Sequence, residues 1–80
     1  MAEVHVYVTP KAGVLDPQGA VVEGALANLG YEGVSNVRIG KFITLTVEDG
    51  PDLETRVDEM CRRLLANTVI EDYRFEVVSG

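Results

Sequence analysis

Gly13-Val-Leu-Asp-Pro-Gln-Gly19 is the stretch of sequence that decides the fold. Asp16 is a favourable N-cap, because its carboxylate can accept hydrogen bonds from the free N–H groups of a first helical turn. Pro17 suits the next position, where a backbone N–H would have no partner within the helix. The stretch therefore predicts where a strand has ended and where the first helix begins.

The apolar residues on the two sides of this stretch repeat with different spacings. Three valines alternate with polar residues over 3–9, which predicts a strand with one buried face that ends at Pro10. Residues 17–29 have apolar side chains three and four apart, which predicts a helix, and Gly30 suits the left-handed residue after it. The predicted buried stripe of this helix is Val22, Ala25, Leu26 and Leu29.

Residues 33–48 hold two apolar runs around Gly40-Lys41, which predicts two strands joined by a tight turn. A two-residue loop would place Phe42 on the face of Ile39, whereas a three-residue loop with a bulge would place Ile43 there. The other face would then carry Phe42, Thr44 and Thr46. Such a face suits contact with another subunit or exposure to water, and the pattern leaves both open.

The rest of the chain predicts a second helix and a last strand. The helix runs from Gly50-Pro51 to about Ala66 and has a clean apolar stripe: Leu53, Val57, Met60, Cys61, Leu64 and Leu65. Alternation around Tyr73 predicts a strand to about Val78. The order β-α-β-β-α-β predicts an α+β, ferredoxin-like sandwich, in which one antiparallel sheet has two helices on one face. We interpret residues 1–80 as a single domain.

Composition and charge narrow the class of protein. An 80-residue chain buries only about 60–65% of its unfolded surface, so its core is thin and oligomerisation would add stability. The net charge of −6 disfavours nucleic acid as a partner, since binding relies on neutralising phosphates. The single cysteine excludes a disulfide within the chain and fits a reducing compartment. Without an apolar run that could span a bilayer or a secretory signal pattern, we predict a cytoplasmic protein with no membrane association.

No group of residues predicts catalysis. His5 is the only histidine and has no ligand partners near it in sequence, so the pattern favours a surface histidine over a metal site. Cys61 lies on an apolar stripe, which favours a buried, unreactive thiol over a nucleophile. The loop before Pro17 lacks the order of a phosphate-binding loop, and Asp16 would repel an anion there. We therefore predict no catalytic residue and no metal site.

Four segments together resemble the PurS family, the small subunits of bacterial and archaeal phosphoribosylformylglycinamidine synthase. They are Tyr7-Val-Thr-Pro-Lys11, Gly13-Val-Leu-Asp-Pro-Gln-Gly19, Val37-Arg-Ile-Gly-Lys41, and Leu64-Leu-Ala-Asn-Thr-Val-Ile-Glu-Asp-Tyr-Arg74. The likeness covers nearly the whole chain in order. It departs from the family pattern at Pro10, where an apolar residue is more usual, and at Thr68, which replaces a common proline.

The resemblance implies a non-catalytic subunit of an ATP-dependent, glutamine-using carbon–nitrogen ligase in purine biosynthesis. It would bridge a PurL-type synthetase subunit and a PurQ-type glutaminase subunit, and help ammonia to pass between them. The complex would use ATP and Mg, and this subunit would hold no cofactor. Separately from the resemblance, the thin core and the face with Phe42, Thr44 and Thr46 predict a homodimer or tetramer, joined partly through a surface or edge of the sheet. The resemblance also suggests contact surfaces at Lys11, Gly13, Asp16, Pro17, Gln18, Gly19, Arg38, Gly40, Lys41, Asn67, Glu71, Asp72 and Tyr73.

Two alternatives stay open from the sequence. An ACT-like module that binds a small regulatory ligand shares the β-α-β-β-α-β order. The role of Arg38 and Lys41 is the second open question. They are either solvated charges on a turn or a basic point of contact for carboxylates of a partner.

Overall fold

The computed structural model describes residues 1–79 and contains three strands and two helices. Their bounds, in chain order, are β1 Ala2–Pro10, α1 Pro17–Asn28, β2 Lys41–Val47, α2 Leu53–Met60, a π-helical segment Cys61–Leu65, and β3 Glu71–Ser79. Asp16 caps α1 and Pro17 occupies its first turn, as the sequence predicts. Gly30 follows α1 with φ +95°, a left-handed conformation that glycine adopts without strain.

The strands form one antiparallel sheet in the order β2-β1-β3. At the centre of the sheet, Val6 lies opposite Ile43 of β2 and Phe75 of β3. A bulge at the end of β3 leaves Val78 between two paired positions, because Glu3 pairs with Ser79 and Val4 with Val77. Both outer strands have an edge with no neighbouring strand within residues 1–79.

The core lies between the sheet and α2. Val4, Val6 and Val8 of β1 are fully buried, as are Val57 of α2 and Cys61 just after it. Residues of β2 and β3 on the same face pack against this core. Such apolar burial is the main favourable term in the free energy of folding. The α+β class, the antiparallel sheet and the two helices are confirmed.

The predicted strand before Gly40 and the hairpin at Gly40-Lys41 are wrong. No residue from 33 to 40 belongs to the sheet, and β2 pairs with β1 rather than with the segment before it. Side-chain carboxylates, not a neighbouring strand, accept the N–H groups of Val37 and Ile39. The order within one chain is therefore β-α-β-α-β, and the choice between two- and three-residue hairpin loops does not arise.

The predicted buried stripe of α1 is also wrong within a single chain. Gly19 is the only buried residue of this helix, and the core contains none of its side chains. Val21 is 72% exposed, and Leu29, just after the helix, is 73% exposed. Glu23 is the only charged residue in α1. A helix with so few polar side chains is usually covered by other protein.

The second helix buries Leu53, Val57 and Cys61 of the predicted stripe, whereas Met60 of that stripe is exposed. After Cys61 the helix widens. The Ala66 N–H donates to the carbonyl of Cys61, five residues back, which defines the π-helical turn. This wider turn rotates Leu64 off the apolar stripe, and Leu64 is 83% exposed. The outer surface of α2 carries three ion pairs four residues apart: Asp52–Arg56, Asp58–Arg62 and Glu59–Arg63. In the part of the chain described, no helix is long and apolar enough to cross a membrane.

Candidate interaction surface

Asp16 joins the start of α1 to a segment more than twenty residues further along. Its Oδ1 accepts the Gly19 N–H at 3.1 Å, and its Oδ2 accepts the Ile39 N–H at 2.7 Å. The bond from Ile39, and next the bond from Gly19, lower the pKa of this carboxyl below its usual range. The N-cap predicted from sequence therefore also anchors the chain that leads into β2.

A second carboxylate on α1 holds the same segment. Glu23 Oε1 accepts the Val37 N–H at 3.1 Å. The helix can lie this close because Gly19 has no side chain: a Cβ there would stand 2.1 Å from the Val37 carbonyl oxygen. Asp16, Gly19 and Glu23 thus fix α1 and residues 37–39 to each other.

Arg38 and Lys11 connect three loops at the end of the sheet where β1 finishes. Arg38 Nη2 donates to the Lys11 carbonyl at 2.8 Å, and the Lys11 N–H donates to the Ile70 carbonyl at 2.9 Å. The Lys11 ammonium lies 3.8 Å from a carboxylate oxygen of Asp72. We call residues 11–19, 36–40 and 67–72 the loop end.

Arg38 and Lys41, the two residues predicted as a basic point of contact, do not lie on a hairpin tip. The side chain of Arg38 is partly buried against the Lys11 carbonyl, and Lys41 Nζ donates to the Leu65 carbonyl at 3.2 Å. That carbonyl closes the π-helical segment, where a cation complements the unpaired helix end. Both side chains are therefore engaged within the chain.

The structure brings most of the predicted contact residues to the loop end. Gly13, Asp16 and Arg38 line one depression there, while Pro17, Gln18 and Glu71 line a neighbouring one. The Asn67 N–H donates to Glu71 Oε1 at 2.7 Å. Gly40 is the last residue of the loop end before β2. A Cβ at this position would stand 2.2 Å from the Val8 carbonyl oxygen.

Tyr73, like Lys41, is a predicted contact residue that lies outside the loop end. Its hydroxyl donates to Asp58 Oδ1 of α2 at 2.6 Å, and its ring packs against the core. This hydrogen bond raises the pKa of the Tyr73 hydroxyl and is the first cause of the lowered pKa of Asp58. Tyr73 ties β3 to α2 and does not lie on the loop end.

Sequence reasoning missed the apolar part of the loop end. Leu15, Ile39 and Ile70 are exposed beside the polar residues, and all three line the depression that holds Pro17. Apolar residues on a surface with polar neighbours are typical of protein–protein contacts. Leu15 could have been noticed as an apolar residue directly before a polar helix cap, since nothing in the helix pattern buries it.

The open face of the sheet carries a cluster of aromatic and charged side chains. The ring of Phe42 contacts those of His5 and Tyr7, with centroids 5.2 and 5.1 Å away. The Arg74 guanidinium lies 3.9 Å above the Tyr7 ring, and the Tyr7 hydroxyl donates to Glu76 at 3.0 Å. The bond to Glu76 raises the pKa of Tyr7. Phe42 is exposed, so this face is available for contact.

The remaining residue considered for chemistry is buried. Cys61 is fully buried, and burial, followed by the nearby Asp58 charge, raises the pKa of its thiol. His5 lies on the open face and bonds Glu3. Among residues 1–79, no three His, Cys, Asp or Glu side chains come together as a group that could hold a metal ion.

Comparison with known proteins identifies one family along nearly the whole chain. Residues 3–79 match the family model described as "PurS: Phosphoribosylformylglycinamidine (FGAM) synthase". A Bacillus subtilis protein named phosphoribosylformylglycinamidine synthase subunit PurS is 56% identical over 78 residues, which is 96% of this chain and 93% of that protein. These matches favour the PurS family over an ACT-like module.

Solved structures share the fold. The C2 crystal form of B. subtilis PurS superposes with a TM-score of 0.92 at 55% identity, covering 99% of this chain and all of that one. Methanocaldococcus jannaschii PurS, described as one of the subunits of formylglycinamide ribonucleotide amidotransferase, gives 0.85 at 37% identity, covering 100% and 99%. A chain of the Thermotoga maritima PurLQS structure gives 0.75 at 23% identity over 96% of each chain, which shows a common fold.

Proposed function

The chain belongs to the PurS family, and from that membership we propose that it is the non-catalytic small subunit of phosphoribosylformylglycinamidine synthase in purine biosynthesis. The family match over residues 3–79 carries this proposal. The enzyme is an ATP-dependent, glutamine-using ligase, and its chemistry belongs to the other subunits.

The partners are a PurL-type synthetase subunit and a PurQ-type glutaminase subunit, which this chain bridges. We propose that the loop end is the surface that meets one of them. Leu15, Ile39 and Ile70 are exposed there among polar residues that are already fixed by hydrogen bonds within the chain. A preorganised surface loses little conformational entropy on binding, which favours affinity. By holding the two partners together, the subunit helps ammonia to pass from glutaminase to synthetase.

A homo-oligomer, either a dimer or a tetramer, forms part of the proposal. Its support is the uncovered apolar surface of α1 and the exposed Phe42 on the open face of the sheet. We also propose that ATP and Mg bind in the synthetase subunit and that this chain holds no cofactor. The cytoplasmic location remains part of the same proposal, in keeping with the single cysteine.

Reconstitution tests the function directly. The chain is mixed with the synthetase and glutaminase subunits of the same organism, and product formation is measured with glutamine or with ammonium chloride as the nitrogen source. We expect glutamine-dependent synthesis to require this chain and glutaminase, while synthesis from ammonium continues without glutaminase. Full glutamine-dependent activity in the absence of the chain would refute the bridging role.

Size-exclusion chromatography of the same mixture supplies the second readout. We expect the chain to co-elute with both larger subunits. The control carries Thr55→Asp on the outer surface of α2, which lies outside the loop end and should leave co-elution unchanged. Elution of the wild-type chain by itself under conditions of full glutamine-dependent activity would contradict the proposed assembly.

A further inference from the structure

The π-helical segment after α2 determines which apolar side chains face the core. Buried residues of α2 recur every four positions up to Val57 and Cys61. If the chain continued as an α-helix, Leu64 and Leu65 would face the core, because they lie three and four residues after Cys61. In the structure the Ala66 N–H instead donates to the Cys61 carbonyl at 2.9 Å, five residues back. This wider turn buries Ala66 and leaves Leu64 83% exposed.

This arrangement is unfavourable for a chain that folds alone. Leucine has three more side-chain carbon atoms than alanine, so burying Leu64 in place of Ala66 would remove more apolar surface from water. Single π-helical turns within helices are also rare, and they occur frequently at functional sites. The core of one chain therefore gives no reason for the exposure of Leu64, whereas a contact with another protein would supply one.

Lys41 of β2 contacts the end of this wider turn. Its Nζ donates to the Leu65 carbonyl at 3.2 Å, at the last residue of the π-helical segment. The neighbouring Arg62 and Arg63 are each paired with a carboxylate four residues earlier in α2. Lys41, by contrast, forms no ion pair with any carboxylate of residues 1–79. The turn that carries Leu64 therefore has an unneutralised positive charge close to it, in a chain of net charge −6.

Leu64 also lies next to the loop end. Residues 67–72 of the loop end begin directly after Ala66, so the Cα atoms of Leu64 and Asn67 are no more than about 11 Å apart. Val69 is 81% exposed, and Ile70 is exposed as well. Exposed apolar residues thus continue from the end of α2 into the surface that we propose meets a larger subunit.

We propose that Leu64 is an anchor residue for the larger subunit that meets the loop end, which means that its side chain inserts into an apolar pocket of that subunit. The rim of this pocket carries a carboxylate that faces Lys41. A second copy of the chain fits less well, because two such surfaces related by a two-fold axis would bring two unpaired ammonium groups together. This inference rests on the proposed function and adds a residue to its contact surface.

Deletion of Leu64 separates the anchor from the fold. In the shortened chain the Ala66 N–H would lie four residues after the Cys61 carbonyl, so the same hydrogen bond would close an ordinary α-helical turn. Leu65 and Ala66 would still follow Cys61 at positions that face the core. We expect the melting temperature to equal or exceed that of the wild type. The subunit concentration needed for half-maximal glutamine-dependent synthesis should rise at least about tenfold in the reconstituted complex.

Two substitutions at the same position complete the comparison. Leu64→Met keeps an apolar side chain of similar size and should behave as the wild type in both measurements. Leu64→Gln removes the apolar anchor without shortening the helix, so it decides the question if the deletion variant is destabilised. Full assembly by both the deletion variant and Leu64→Gln would overturn the proposal.

Lys41→Gln tests the charge at the rim of the pocket. The amide of glutamine can still donate to the Leu65 carbonyl, but it carries no charge. We expect assembly of this variant with the larger subunits to depend less on salt concentration than assembly of the wild type. An unchanged salt dependence would exclude the facing carboxylate.

Sedimentation of each Leu64 variant by itself identifies the kind of partner. We expect self-association to equal that of the wild type, and its loss would assign Leu64 to a contact between copies and overturn the proposal. The wild-type chain separates this inference from the proposed function. Failure of the wild type to form a complex would refute both, whereas equal assembly by the wild type, the deletion variant and Leu64→Gln would refute the anchor alone.

Discussion

The Asp16 carboxylate accepts the backbone N–H of Ile39 at 2.7 Å, across 23 positions of sequence. The same group caps α1 through Gly19, so both of its oxygens are occupied. The helix cap identified from the sequence therefore also connects the first helix to the segment that leads into β2. The ionised state of Asp16 and the close packing of α1 against residues 37–39 can each be tested by substitution.

We expect Asp16→Asn to lower the melting temperature by several degrees at pH 7 and to change its dependence on pH. The amide can still cap α1, but it cannot accept both N–H groups as a carboxylate does. Because the pKa of Asp16 is lowered on folding, its contribution is present above the ordinary value of 3.8 and is lost as pH falls below it. Melting curves from pH 7 to pH 2 should converge for wild type and variant in acid. Parallel curves would exclude this role for ionised Asp16.

Gly19→Ala and Gly24→Ala form a matched pair of variants in α1. We expect them to change the free energy of unfolding in opposite directions. A Cβ at Gly19 would stand 2.1 Å from the Val37 carbonyl oxygen, so we expect a loss of about 1–3 kcal/mol in the free energy of unfolding. A Cβ at Gly24 meets no heavy atom within 4 Å. Alanine there should stabilise the helix by about 0.5–1 kcal/mol, unless a partner subunit packs closely against it. Chemical denaturation measures both, and equal effects would contradict the close approach of α1 to residue 37.

Arg38→Met tests whether this side chain is structural. The bond from Arg38 to the Lys11 carbonyl holds two loops together, and we expect its loss to cost about 1 kcal/mol in the free energy of unfolding. Lys41→Met removes an exposed bond to Leu65 and should cost less. Denaturation of the two single variants gives the comparison. A destabilisation confined to Lys41→Met would contradict the assignment of Arg38.

Replacing both Arg38 and Lys41 by Glu separates a basic point of contact from a structural role. On an exposed basic turn, the two changes would weaken assembly with little effect on folding. Because both side chains donate to main-chain carbonyls, we expect a lower melting temperature as well, since each carboxylate would face a carbonyl oxygen. The measurement is the melting temperature together with glutamine-dependent synthesis in the reconstituted complex. Reduced synthesis at an unchanged melting temperature would show that the two side chains act as a basic point of contact and not in folding.

Leu15→Asp combined with Ile70→Asp should weaken assembly with the larger subunits while the isolated chain stays folded. Both side chains are exposed, so their replacement removes little burial within the chain. If the loop end is a contact surface, each new carboxylate would be desolvated against a partner, which is unfavourable. We expect glutamine-dependent synthesis to fall at least tenfold at limiting concentrations of this subunit. Unchanged co-elution and activity would exclude the loop end as the docking surface.

The Cys61 thiol should be unreactive in the folded protein. It is fully buried and its pKa is raised, so the thiolate that reacts with disulfide reagents is scarce. We expect no labelling by an aromatic disulfide reagent under native conditions and complete labelling in denaturant. Cys61→Ser should cost about 1–3 kcal/mol of stability, since a hydroxyl would be buried among valines. Rapid labelling of the native protein would contradict the position of Cys61 in the core.

Local features of the fold were predictable because their causes lie within a few residues. The alternation around Val6 predicts β1, and Asp16 with Pro17 predicts the start of α1. The stripe through Val57 predicts α2. The missing fourth strand was not predictable, because Asp16 and Glu23 supply the acceptors that a neighbouring strand would otherwise provide. Alternating apolar residues alone do not reveal which acceptor an N–H group will find.

The candidate site was predictable only in part, for a related reason. Its polar members were indicated by the family resemblance, and the structure gathers most of them at the loop end. The exposure of Val21 was not predictable, since the apolar pattern of a helix is the same whether its own chain or another chain covers it. Whether the same chain or a partner covers an apolar side chain depends on the distances between elements in the folded protein, and the sequence pattern does not contain those distances. For the same reason, the apolar stripe of α1 correctly predicted a helix but not where it is buried.

The ion pairs along α2 have a practical consequence for attaching probes. Asp52–Arg56, Asp58–Arg62 and Glu59–Arg63 neutralise one another in place, and Thr55 lies exposed among them with no bond of its own within residues 1–79. Thr55→Cys would introduce the one accessible thiol in the chain, because Cys61 is enclosed. A fluorophore placed there would stand away from both the loop end and the β2 edge. The chain thus offers an attachment point from which its assembly could be followed by fluorescence anisotropy or on an immobilised surface.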